Sequence, residues 1–253
     1  MRKKGFTLVE VALFLALSGL LVAAVIIGTS RSISEKRYND TVDNFVSYLE
    51  GLYASANYVS HGGTGDSSQA VYGKLVIMNT NGGQTSFTSY SIAADANFSS
   101  SNLSTDAKDA LAGLHPTITV TDNGGNAVFI SEETYIPSWG GRIQADETRN
   151  DEKANDKNQI LLLILRSPKT NMFTTYVWYP NPNDEQTITK STALDEEYLD
   201  HFSKTIDANF CIDSDDRWAG GNERRLVRIH AGANNASGIE LIGNEAKGGF
   251  CEN

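Results

Sequence analysis

The chain has 253 residues, two cysteines and a formal net charge of −10, with 31 acidic side chains against 21 basic ones. That length admits one large domain or two small ones with a substantial core. The acidic balance excludes broad nucleic-acid binding, which needs a basic face against phosphate.

In chain order, Arg2, Lys3 and Lys4 precede an apolar stretch from Phe6 to Gly28. A bilayer-crossing helix needs about 20 such residues, so residues 6–28 are predicted to span a membrane. The N-terminal flank carries only bases, whereas Arg31, Lys36 and Arg37 on the other flank are mixed with Glu35 and Asp40. The positive-inside bias then keeps the N-terminus cytoplasmic and exports everything that follows. One carboxylate, Glu10, stands inside the apolar stretch. An ionised side chain at bilayer depth costs about 2.5–3.5 kcal/mol on insertion scales, so Glu10 is expected to serve a purpose there. A cleaved secretory signal fits the basic start but has a shorter apolar region. An uncleaved signal anchor fits the length, yet gives Gly5, Phe6 and Glu10 no role.

The residues KKGFTLVE followed by an apolar helix closely resemble the class III signal of type IV prepilins and related pseudopilins, over Met1 to about Ser30. The resemblance implies that residues 1–5 are a leader, removed between Gly5 and Phe6 by a membrane prepilin peptidase that also N-methylates Phe6. Removal takes three bases with it and leaves 18 basic against 31 acidic residues. It further implies that Glu10 meets the new Phe6 amine of a neighbouring subunit during assembly, with Thr7 adding a hydroxyl contact. The chemistry is consistent with that role, because an unpaired ion in apolar surroundings is far costlier than a paired one. Gly5 offers a protease an unobstructed backbone. Gly19 and Gly28 read as close-packing points between helices. With no proline between Gly19 and Arg37, a pronounced kink is not expected.

Past Gly28 the pattern turns amphipathic. Tyr38, Val42, Phe45, Val46, Leu49, Leu52 and Tyr53 form a stripe at helical spacing, so residues 29–60 are predicted to continue the helix into the head. Residues 61–253 are then an exported globular head. His61–Gln69 is read as a linker, since no Gly-Lys-Ser or Gly-Lys-Thr follows its glycines. Strands are predicted at Val71–Met78, Thr85–Ala93, Thr117–Thr121 and Ala127–Ile130, the last two forming a hairpin. Short helices are predicted at Thr105–Leu114 and Thr192–Lys204. Arg149–Gln159 is a solvated loop, Ile160–Arg166 a central strand with a hairpin partner beginning at Met172, and Arg225–His230 and Ile239–Ile242 are late strands.

Cys211 and Cys251 are an even pair outside the cytoplasm, where a disulfide is expected and two unpaired buried thiols are the alternative. Pilin heads similarly close their C-terminal subregion with a disulfide. Arg224, Arg225 and Arg228 form the longest basic cluster of the head, read as a solvated strand edge with an anion site as the alternative. The acidic Asp213–Asp216 segment departs from the EF-hand pattern and reads as a surface turn rather than a calcium loop. The four histidines have no zinc-ligand spacing, and no Gly-x-Ser-x-Gly elbow is present. Trp139 is expected to pack under the sheet, with an exposed adhesive aromatic as the alternative.

The expected fold is α+β and pilin-like, a long N-terminal helix packed on an antiparallel β-sheet head. The expected function is structural, with no catalytic residue, cofactor or metal. The chain would be a pilin or minor pilin, anchored in the membrane and then assembled into an extracellular filament for adhesion, motility or DNA uptake. Its partners would be other pilin subunits, the prepilin peptidase, and the assembly platform with its ATPase. A pseudopilin of a secretion system, and an exported enzyme or binding protein on a membrane anchor, are the alternatives.

Overall fold

The computed structural model describes residues 7–56, 69–81, 84–95, 104–121, 127–145, 159–180, 194, 196–213, 224–243 and 251. Nearly all of the predicted linker and of the 149–159 loop, and the turn of the predicted 117–130 hairpin, lie outside these residues.

One helix, α1 (Leu8–Ala56), accounts for the first part of the chain. It contains no proline, and at 1.5 Å per residue its 49 residues extend about 74 Å. The helix continues through Gly19 and Gly28 without interruption. Its two halves face different surroundings. From Leu8 to Ile26 no residue is buried. From Tyr38 onward the predicted stripe sinks into the head: Tyr38, Val42, Phe45, Leu49, Leu52 and Tyr53 are all buried, and Val46 is partly so. Burying a Leu, Val or Phe fully contributes about 1.5–3 kcal/mol relative to leaving it in water, so this stripe holds the helix to the head.

After α1 the described elements are β1 (Gln69–Asn81), β2 (Gln84–Asp95), α2 (Ala107–Ala112), β3 (Thr119–Thr121), β4 (Ala127–Phe129), β5 (Glu132–Tyr135) and β6 (Arg142–Ala145). Then follow β7 (Gln159–Arg166), β8 (Phe173–Trp178), α3 (Glu196–Leu199), β9 (Ala208–Asp213), β10 (Arg224–Ile229) and β11 (Ile239–Ile242). All strand pairs are antiparallel. Where the sequence suggests a single sheet, the strands divide into a five-stranded sheet ordered β5-β2-β1-β7-β8, a four-stranded sheet ordered β11-β10-β9-β6, and the β3-β4 hairpin. The Thr85 hydroxyl joins the two larger sheets by donating to the Ile143 carbonyl at 2.7 Å.

The five-stranded sheet is apolar on both faces, which explains the unbroken run ILLLILR of β7. Ile160, Leu162 and Ile164 face the core shared with α1 and the four-stranded sheet. Leu161, Leu163 and Leu165 face a second core with Leu111, Leu199 and Phe202. Strands buried on both faces lose the alternation of a half-buried strand. β1 bulges between Val71 and Gly73, where a Cβ on Gly73 would lie 2.1 Å from the Ile164 carbonyl oxygen. Only glycine fits that approach.

Among the described residues of the predicted Thr192–Lys204 helix, the centre is helical and the C-terminal end is not. Regular α-helix covers Glu196–Leu199, then the Phe202 amide donates to the Leu199 carbonyl at 3.2 Å, and Ser203 pairs with Val177 as a bridge. The chain leaves the helix because Phe202 packs edge-on to Trp178, with ring centroids 5.6 Å apart. Three strands, β5, β6 and β9, have no counterpart in the sequence reading.

Candidate functional site

Glu10 sits in the first turn of α1, immediately beyond Thr7. The Glu10 Oε2 accepts from the Thr7 backbone amide at 2.9 Å and from the Thr7 hydroxyl at 3.0 Å. In return the Glu10 amide donates to Thr7 Oγ1 at 3.3 Å. This is a capping box: a threonine N-cap and a glutamate three residues on satisfy amides that have no intrahelical partner. The Thr-x-x-Glu pattern is legible in TLVE, but the sequence reading assigned both side chains to assembly and missed their mutual cap. Glu10 Oε1 has no hydrogen-bond partner among the described residues, so the carboxylate is half used. Gly5 and Phe6, the predicted cleavage and methylation residues, lie outside the described residues.

Beyond this cap, Leu8–Ile26 is one helix long and apolar enough to cross a membrane, a candidate membrane anchor or signal sequence. Just past its far end the Thr29 hydroxyl is satisfied locally, donating to the Val25 carbonyl at 2.8 Å. Nothing lies within 4 Å of a Cβ built on Gly19 or Gly28, so any close packing there requires a second molecule.

At the base of the head, a 3-10 turn over Ser138–Gly140 docks on α1. The Ser138 carbonyl accepts from Thr41 Oγ1 at 3.0 Å, and its hydroxyl accepts from Asn44 Nδ2 at 3.2 Å. A Cβ on Gly141 would meet Thr41 Cγ2 at 2.5 Å, so this close seat depends on glycine. Trp139 is not under the sheet. Its backbone adopts φ 60°, it is 55 % exposed, and the Arg37 guanidinium lies 4.8 Å from its ring centroid. The reason is steric: the turn rests directly on α1, so its central side chain is turned outward.

Cys211 and Cys251 form a disulfide with a Cα–Cα distance of 5.7 Å, closing a separation of 40 residues. Leu226 and Ile242 pack around it. The basic cluster is not a solvated edge, because β10 is interior to its sheet, between β9 and β11. Arg224 pairs with Asp213 at 2.8 Å and also donates to the Cys251 carbonyl. Arg225 lies over the Tyr38 ring at 5.6 Å, and Arg228 donates to Asn209 Oδ1 at 3.0 Å. These arginines are spent on internal partners. Asp213 is one of those partners, while residues 214–216 of the acidic segment lie outside the described residues.

Among the described residues, no three His, Cys, Asp or Glu side chains group as metal ligands. His201 stacks on Trp178 with centroids 4.9 Å apart, and His230 faces Glu240 at 3.2 Å.

A polar cluster that sequence reasoning did not single out centres on Asp106, the N-cap of α2. Its carboxylate accepts from the Tyr176 hydroxyl at 2.7 Å, the Lys108 amide at 3.0 Å and Lys204 Nζ at 2.5 Å. Burial acts to raise the Asp106 pKa, but the Lys204, Tyr176 and Lys108 bonds outweigh it and hold the carboxyl below its ordinary range. Tyr176 is pushed well above the usual phenol range by burial and by Asp106. The Asp106–Lys108 spacing signals the cap, but Tyr176 and Lys204 are brought by the tertiary fold. The cluster is a tether between the short helices and the sheet. Compared with known protein families, curated proteins and solved structures, the chain matches none.

Proposed function

We propose that this chain is a type IV prepilin-like structural subunit, cut between Gly5 and Phe6, that assembles through α1 into a surface filament. One observation carries the reading: a single helix is bare and apolar along Leu8–Ile26 and buried in the head from Tyr38 onward. Such a rod suits two successive environments, a bilayer before assembly and the helices of sibling subunits after it. The half-used Glu10 carboxylate fits the same scheme. Its free oxygen can accept the Phe6 amine of an arriving neighbour without dismantling the contact to Thr7, and pairing stabilises an acid in apolar surroundings. The head, with its disulfide and two cores, supplies the outer surface.

Mass spectrometry of the chain purified from its producing cells tests the proposal. The mature N-terminus is expected to be methylated Phe6, and Gly5→Arg is expected to retain residues 1–5. Glu10→Val is expected to be processed normally yet to yield few filaments. A wild-type chain that keeps its first five residues overturns the reading.

A further inference from the structure

We infer that the face of β1 and β2 beneath α1 seats a small oxyanion, a phosphate, sulfate or carboxylate group taken from solution, gripped by Lys74, Ser91 and Tyr48. Neither filament assembly nor the membrane span enters. Lys74 stands mid-strand in β1 and is only 6 % exposed. Side chains alternate along a strand, and Val76 and Met78 face the core shared with α1, so Lys74 faces it too. Its amine makes no ion pair and no hydrogen bond among the described residues. A buried cation without a partner is strongly unfavourable, so it either loses its proton or gains an anion.

The neighbours decide between the two. Lys74 pairs in register with Ser91, and Ser89 lies diagonally opposite, about 7–8 Å away and within reach of a long side chain. On β2 this face runs Phe87, Ser89, Ser91, so the ring packed on Phe45 gives way to two small hydroxyl side chains. The Ser89 hydroxyl donates to the Glu133 carbonyl at 3.4 Å. Ser91 is buried, and its hydroxyl makes no hydrogen bond among the described residues. From α1 comes Tyr48, whose ring stacks on Tyr135 with centroids 4.3 Å apart and whose hydroxyl is buried without a hydrogen-bond partner. Burial raises the Tyr48 pKa, the Glu133 charge adds to the rise, and the Ser89 hydroxyl opposes it. Burial lowers the Lys74 pKa, and the Glu133 charge offsets part of that. Lys74 and Tyr48 therefore lie around the same serine, within the field of the same carboxylate.

Loss of the Lys74 proton would relieve the amine and leave the Tyr48 and Ser91 hydroxyls unpaired. A water would serve the hydroxyls and leave the charge. An oxyanion accepts from all three and balances the ammonium, in the stronger, charge-assisted kind of hydrogen bond. The way in lies at the β5 edge, where Glu133 is exposed opposite Ser89. That carboxylate repels an anion at the rim and keeps the affinity modest. Because Tyr48 belongs to α1 and Lys74 and Ser91 to the sheet, the bound anion is a clasp between the helix and its seat.

The test uses the full chain in detergent, with the unfolding midpoint followed as phosphate, sulfate or acetate replaces chloride at constant ionic strength. A saturable rise is expected with at least one of the three, absent from Lys74→Met, several-fold weaker in Tyr48→Phe and several-fold tighter in Glu133→Gln. Lys74→Met removes a buried charge and keeps the length of the side chain, so the head still folds, which retained near-ultraviolet dichroism checks. Saturation at lower acetate than phosphate concentration assigns a carboxylate ligand, and the reverse order a phosphate or sulfate. An equal rise in wild type and Lys74→Met overturns the seat, as does the lack of a saturable rise with any of the three anions. Weaker binding in Glu133→Gln overturns it as well, because the carboxylate would then hold the ligand rather than repel it. Each of these failures leaves the filament reading untouched, since that is decided by the mature N-terminus.

Discussion

The two halves of α1 differ in apolar content, 16 of 19 residues over Leu8–Ile26 against 10 of 19 over Tyr38–Ala56, and have opposite fates. Between Leu8 and Ile26 the large side chains are exposed, because none of the described residues folds over them. Between Tyr38 and Ala56 the equivalent side chains are buried by both larger sheets, with Phe45 centred 5.0 Å from Phe87 and 5.2 Å from Phe210. The difference lies in pattern. The first half is apolar all round, which suits lipid or other helices; the second confines its apolar residues to one stripe, which suits docking on one side against the two sheets. Burial in the head belongs to one half of the helix and exposure to the other.

The sharpest way to break that division is Phe45→Ala. Removing a fully buried ring typically costs roughly 3–5 kcal/mol, read as a fall in the midpoint of denaturant unfolding of the full chain in detergent. Reducing the Cys211–Cys251 bond is next. For a closed loop of this size a loss of about 2–4 kcal/mol is expected, with faster proteolysis of the segment from β9 onward. Asp106→Ala removes a helix cap and its lysine partner, with an expected loss of about 1–2 kcal/mol. The Asp106 pKa is lowered on folding, so its stabilising share is present above the ordinary carboxyl pKa and is lost as pH falls through the folded value. Wild type is therefore expected to lose more stability than Asp106→Asn on acidification below about pH 4. Smallest of all, Leu15→Ala and Glu10→Val are expected to move head stability by less than about 0.5 kcal/mol, as for surface sites. In Glu10→Val the first-turn amides of α1 are expected to exchange faster with solvent, because the cap is gone. A large effect on the head from either change would show that the halves are energetically coupled.

The helix is the part of the fold most legible in the sequence, because both of its patterns are local and long. β7 is legible for the same reason, as an apolar run too short to span a membrane. β5 escapes because EETY is polar and mostly exposed, an edge strand recruited by pairing with Phe87–Tyr90 rather than by its own alternation. β6 and β9 escape because they are short and gain their burial from each other and from Phe45. At the candidate site, the Thr7–Glu10 spacing can be read directly, while the outward turn of Trp139 depends on a backbone seat against Thr41 that no spacing rule encodes. The sharing of Asp106 by Tyr176 and Lys204 is equally invisible along the chain, since 70 and 98 residues separate them.

The packed half of α1 is also tied at its ends. The Tyr38 hydroxyl donates to the Ile212 carbonyl at 3.0 Å, and the Tyr53 hydroxyl meets Thr175 Oγ1 at 2.7 Å, in the other sheet. These bolts stand about 22 Å apart along the axis. The rod therefore cannot slide or spin against the head without breaking a hydrogen bond in each sheet and dragging Phe45 through its ring of aromatics. A tug on the N-terminal part of α1 is borne in shear along the whole seam rather than peeled away from one corner.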